Sequence, residues 1–277
     1  MKHDNTPQFP WPLLSYWIHC ILPVWGLIAL VIFLFQIAIC GIMHDNESVK
    51  AFLQFIDMMP SFVKSMLGGS ALQVGNVSAL IAIGYNHPMT LILYMLYAVG
   101  VPTALLSSEI QRGTMELILS RHVTKLQVYV CAGLITTIGM FLLVLVMFLG
   151  TVAGTTIYPF AQAVPYHSFL RLAISGGLLA SAVGAIALLS AASFRHKHMA
   201  VGATVAFLVV NYFVSVIAVW WPRMAWLSPT TIFYYAGEVD IFVHNAWPVK
   251  DMSVLIGLLV TASLAGAIIW QRRDLPL

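Results

Sequence analysis

Long apolar runs alternate with short polar breaks along this chain, and six of the runs approach the length of about 20 residues that a helix needs to cross a bilayer. They fall at about 21–42, 89–106, 128–154, 169–189, 199–221 and 254–270. The third contains Phe141-Leu-Leu-Val-Leu-Val-Met-Phe-Leu149. At about 0.3–0.6 kcal/mol favourable per such residue, that run outweighs the neighbouring Thr136 and Thr137. The second is the shortest, and from Pro88 through Pro102 to Ser108 it turns steadily more polar, so it is expected to end in a folded loop. Between the first two runs, Val49, Phe52, Leu53, Ile56, Met59, Val63, Met66 and Leu67 recur at helical spacing opposite Lys50, Gln54, Asp57, Ser61 and Lys64. This spacing predicts an amphipathic helix on the outer membrane surface, bent at Pro60. With no internal repeat and no Pro- or Ser-rich linker, the pattern predicts an all-α integral membrane protein, a single domain over 1–277 with six transmembrane helices.

Charge sets the orientation. Only 8% of the residues are charged and 60% are apolar, against about 25% charged in a soluble domain, so most of the surface must face lipid. Placing the amino terminus inside gives the cytoplasmic segments Lys2, Arg112, Arg121, Lys125, Arg195, Lys197, Arg272 and Arg273. The longer outer segments keep Lys50, Lys64, Arg171, Arg223 and Lys250, so the positive-inside rule predicts both ends in the cytoplasm. Trp17, Trp220, Trp221, Trp226 and Trp270 fall near span ends and are expected to act as interfacial anchors. The first apolar run is too long for the core of a cleaved signal peptide and reads as an anchor. Scattered basic residues exclude a nucleic-acid face.

Candidate chemistry is sparse. Cys20, Cys40 and Cys131 form no C-x-x-C pair and read as small buried residues. None of the nine histidines lies at the middle of a span, so paired haem ligands are not expected, and no H-E-x-x-H or paired intramembrane carboxylates are present. The short turn Arg195-His-Lys-His198 reads as an orientation signal and a lipid-headgroup contact. Met43, Met58, Met59 and Met66 fit apolar packing, with soft copper ligation as the alternative. No metal site is expected. Gln36 and Asn211 sit within spans, where they either hydrogen-bond between helices or line a substrate route. Arg171 can snorkel to the headgroups. Gly176, Ala180 and Gly184 recur every four residues and predict a close helix contact.

The segment 107–127 carries the most information. Gly113 can break the helix before it, Thr114 is expected to cap the next one, and Glu116 falls in the first turn, where the helix dipole favours an acid. Thr124-Lys-Leu-Gln127 matches the capping box that starts the third span. The prediction is helix, break, a short helix of about two turns, break, helix. That short helix, apolar at Met115, Leu117, Ile118 and Leu119, must be covered either by the protein's own spans or by the groove of a soluble partner.

This loop resembles the signature of ABC transporter permeases of the ABC-2 type. Glu109, Arg112, Gly113, Thr114, Met115, Glu116, Leu117, Leu119, Ser120, Val123, Thr124 and Lys125 match it, while Ser108, Gln111, Ile118 and His122 depart from it. Leu227-Ser-Pro229 with Phe233-Tyr-Tyr235, and the ending Gln271-Arg-Arg-Asp-Leu-Pro276, are similar to further segments of that family. The stretch 60–69 and His87-Pro88 resemble the branch that includes the permease serving nitrous oxide reductase maturation.

The resemblance implies a permease subunit in a bacterial inner membrane, working as a homodimer with two copies of a separate ABC ATPase. Residues Glu109 and Arg112 to Arg121, with Ile118 and Ser120 among them, would form the coupling surface. ATP and magnesium would be bound by the ATPase, since this chain has no G-x-x-x-x-G-K-[ST] and no cofactor of its own is expected. Export is the leading expectation. The alternatives are an ATPase-coupled assembly subunit acting on an extracytoplasmic protein, as in metalloenzyme maturation, and an ATP-independent carrier.

Overall fold

A computed structural model describes residues 9–58, 77–121, 123–160, 162–236, 241 and 246–274. No strand occurs among them. The first helix, α1 (Trp11–His44), starts at a proline-rich stretch, with Pro12 in its first turn where the missing N–H costs nothing. Its start lies ten residues before the apolar run at 21–42, because hydropathy marks where lipid begins and backbone hydrogen bonding carries the helix further. Helix α2 (Asn46–Met58) follows after Asp45. The Pro60 bend predicted beyond it lies outside the described residues.

The second span departs most from expectation. It comprises α3 (Val77–Asn86), α4 (Pro88–Pro102), a π-helical turn (Thr103–Ser108) and α5 (Glu109–Gln111). The expected loop at its polar end is thus helical to Gln111. Its polar residues are absorbed locally: Thr103 Oγ1 donates to the Val99 carbonyl at 2.8 Å, and Ser108 Oγ to the Thr103 carbonyl at 3.3 Å. Hydroxyls that bond back into their own helix cost little at depth.

After α6 (Thr114–Leu119) come α7 (Lys125–Ile157), α8 (Tyr166–Ser193), α9 (Lys197–Trp220) and α10 (Val249–Arg272). Between α9 and α10 lie 3₁₀ segments at Pro222–Thr230 and Ile232–Ala236. Six helical stretches are long and apolar enough to cross a membrane: Trp11–His44, Leu80–Gln111, Lys125–Ile157, Tyr166–Ser193, Lys197–Trp220 and Val249–Arg272. The protein is therefore multi-pass and helical in class.

Helix α8 is the centre of the bundle, packing against α4, α7, α9 and α10. Its small residues permit that. A Cβ added at Gly184 would lie 2.7 Å from Thr136 Cγ2, and one at Gly177 2.9 Å from Val144 Cγ2, so α7 and α8 approach at distances that no larger residue allows. The predicted stripe is shifted: a Cβ at Gly176 would meet nothing within 4 Å, and Gly177 takes its place in the contact. Helices α1 and α7 run parallel, Trp25 Nε1 donating to the Gly139 carbonyl at 3.0 Å while Gly154 packs on Cys40.

Two of the expected membrane anchors are interior instead. Trp17 and Trp270 are buried within the bundle, whereas Trp220, Trp221 and Trp226 are exposed. Proximity to a span end could not distinguish an indole that faces lipid from one that faces a neighbouring helix. Cys40 and Cys131 are buried, but Cys20, expected to be buried, is exposed.

Candidate functional site

The segment from Glu109 to Gln127 lies at the end of the bundle where α5 finishes and α7 begins, called the base here. Gly113 adopts φ +71, a left-handed conformation that L side chains rarely take, and this ends the second span. Gly113 therefore occupies the N-cap position expected of Thr114, which is the first residue of α6. The Thr114 hydroxyl turns back instead and donates to the Glu109 carbonyl at 3.1 Å and to the Glu109 carboxylate. That pair bridges the break. Glu116 lies in the first turn of α6, as the dipole argument requires.

Helix α6 is two-faced. Met115 is buried, and Ile118 and Leu119 pack half-buried against the core. Leu117 is 67% exposed, and Arg112, Gly113, Glu116, Ser120 and Arg121 are exposed with it. Ser120 Oγ donates to the Leu117 carbonyl at 2.9 Å, closing the last turn. Of the two ways to cover the short helix, the protein's own spans thus account for Met115 and its flank and leave Leu117 uncovered. His122 lies outside the described residues.

The predicted capping box is formed on both sides. Gln127 N–H donates to Thr124 Oγ1 at 3.2 Å, and Thr124 N–H donates to Gln127 Oε1 at 2.9 Å. One residue on, Lys125 enters an arrangement that the pattern of residues did not announce. Lys125 Nζ donates to the Arg273 carbonyl at 2.8 Å, and Trp270 Nε1 donates to the Lys125 carbonyl at 2.9 Å. The Arg273 guanidinium reaches the Ala191 and Ala192 carbonyls at 3.2 and 3.0 Å, at the end of α8. Partial burial, and then the nearby Arg195, lower the pKa of Arg273 from its ordinary value. Cationic side chains on the terminal carbonyls of α8 oppose its negative dipole end. In the sequence these residues counted only as orientation charges and a belt tryptophan.

Gln36 and Asn211 are not brought together. Gln36 is fully buried, its Nε2 donating to Thr151 Oγ1 at 3.1 Å and to the Ile81 carbonyl at 3.4 Å. Thr151 in turn meets the Tyr85 hydroxyl at 2.8 Å, which makes a polar layer joining α1, α3 and α7. Asn211 Nδ2 donates to the Phe207 carbonyl at 3.0 Å, and its Oδ1 accepts from Ile232 N–H at 3.1 Å, fastening a 3₁₀ segment to α9. The Arg171 guanidinium lies 5.3 Å from the centroid of the Trp247 ring, a cation–π contact. His196 and His198 stack with centroids 5.4 Å apart. Among the described residues no three His, Cys, Asp or Glu side chains converge as metal ligands do.

No protein-family model matches the chain, and no curated protein matches it either.

Proposed function

We propose that this chain is the membrane-spanning subunit of an ATP-driven transporter of the ABC-2 type. Its base would face the bacterial cytoplasm, with both chain termini inside. The observation that carries the reading is the division of α6, with Met115 buried in the bundle and Leu117, Glu116 and Arg121 left free beside it. A helix so held can receive force on one face and pass it to the spans on the other. The exposed face suits the helix-in-groove mode of a soluble partner, and the loop's likeness to the ABC-2 signature names that partner as an ATPase.

Two rigid joints would transmit the movement. On one side Thr114 is bonded to Glu109 and so to the end of the second span; on the other the capping box fixes the start of α7. ATP-driven closure of two ATPases beneath a permease dimer would then bias the spans between two packings. ATP and magnesium belong to the ATPase.

The test is purification in mild detergent after expression with the neighbouring genes. An ABC ATPase should copurify, and Leu117→Asp should remove it while the permease elutes unchanged on size exclusion. Recovery of no ATPase with the wild-type chain, or undiminished recovery with the variant, would sink the reading.

A further inference from the structure

Near the polar layer, the bundle contains a cavity whose wall includes Tyr85, Tyr94, Leu172, Gly176, Ala180 and Ala236. The small residues of α8 create the room, since the space where a Cβ at Gly176 would project is empty to 4 Å. A 3₁₀ segment adjoins it, held by Ser175 Oγ donating to the Ala236 carbonyl at 2.8 Å. The wall is mostly apolar.

Its two phenols differ. Tyr85 is committed to Thr151 at 2.8 Å. The Tyr94 hydroxyl is buried, in a residue only 4% exposed, and has no hydrogen-bond partner among the described residues. A buried donor without an acceptor is costly, and native interiors rarely tolerate one without a reason. A lone water is a poor remedy, because buried waters need two to four polar partners and Tyr94 supplies one. A ligand with one oxygen on an apolar body satisfies both the phenol and the wall.

We propose that this cavity is an intramembrane binding site for a small amphiphile, an alkyl or aryl body carrying a single acceptor oxygen that receives the Tyr94 hydroxyl. The site stands apart from the coupling surface and does not depend on the transport reading. A bilayer concentrates such molecules around the protein and so favours occupancy.

Saturation labelling of the purified full-length protein with a diazirine-bearing n-octanol tests this. Adducts are expected on peptides of α4 and α8 that line the cavity. Tyr94→Phe should weaken the apparent Kd about tenfold, the value of one hydrogen bond, while leaving the alcohol-free Tm equal or higher because the unpaired hydroxyl is gone. Gly176→Leu, which projects into the space, should abolish the labelling. Tyr94→Phe keeps the test decisive if the leucine variant fails to fold. Labelling confined to other peptides, or an unchanged Kd in Tyr94→Phe, would overturn the proposal. Micelle labelling that lipid nanodiscs suppress would assign the site to the ester of a bilayer lipid, and labelling that survives in nanodiscs would assign it to a free amphiphile.

Discussion

Helices α8 and α9 have the same mean hydropathy and opposite surroundings. In α8, 78% of the most apolar stretch is buried inside the protein; in α9 it is 17%. The difference lies in side-chain size. The buried face of α8 is made of Ala173, Gly177, Ala180, Ser181, Gly184 and Ala187, over which neighbouring backbones close tightly. Helix α9 instead presents Val205, Val209, Val210, Phe213 and Ile217 outward, as bulky apolar groups suit lipid. Hydropathy measures the preference for leaving water, and protein and hydrocarbon satisfy it equally. Residue volume separates them.

Paired substitutions can break or sharpen this contrast, read as thermal unfolding of the purified protein in one detergent. The largest effect is expected from Trp270→Ala, which empties a fully buried site and removes the bond to Lys125; a loss of about 4 kcal/mol follows. Trp220→Ala, at a half-exposed indole, should cost less than about 1 kcal/mol. Next, Gly184→Leu forces a side chain into Thr136 and should destabilise by about 3 kcal/mol. Gly202→Leu in α9 meets nothing within 4 Å and should stay within about 0.5 kcal/mol. If the two glycine variants unfold alike, the size argument fails. Arg273→Ala removes a cation from the last carbonyls of α8 and should cost about 2 kcal/mol. The smallest stability change belongs to Leu117→Asp, within about 0.5 kcal/mol because the side chain is exposed. That variant's effect should appear only in ATPase recovery.

Features governed by local backbone chemistry were legible in the sequence. Gly113 as a breaker and Thr124 with Gln127 as a capping box need only neighbours within a few residues, so spacing predicts them. The six spans follow from composition over about 20 residues. What required the partner helix was not legible. Trp17 and Trp270 look like interfacial indoles until α7 and α10 are seen to cover them, and Gly177 replaces Gly176 in the close contact because the rotation of α8 is set by its neighbours. In the candidate site, the exposed half of α6 could be read from its pattern only as an apolar helix needing cover. That Met115 faces inward and Leu117 outward depends on the preceding span's phase. The unpartnered Tyr94 hydroxyl, and the Lys125, Trp270 and Arg273 junction, join residues far apart in the chain and carry no local signature.

The π-helical turn at Thr103–Ser108 decides that phase. Each wide turn holds about one residue more than an α-turn, and one residue corresponds to about 100° of rotation around the helix axis. A chain lacking a single residue here would keep its span, its hydropathy and its Gly113 break. Its short helix would nevertheless arrive turned by more than a quarter circle, with Met115 no longer aimed at the bundle. The turn thus works as an angular spacer, and span length can drift over generations only in steps that preserve its dial setting.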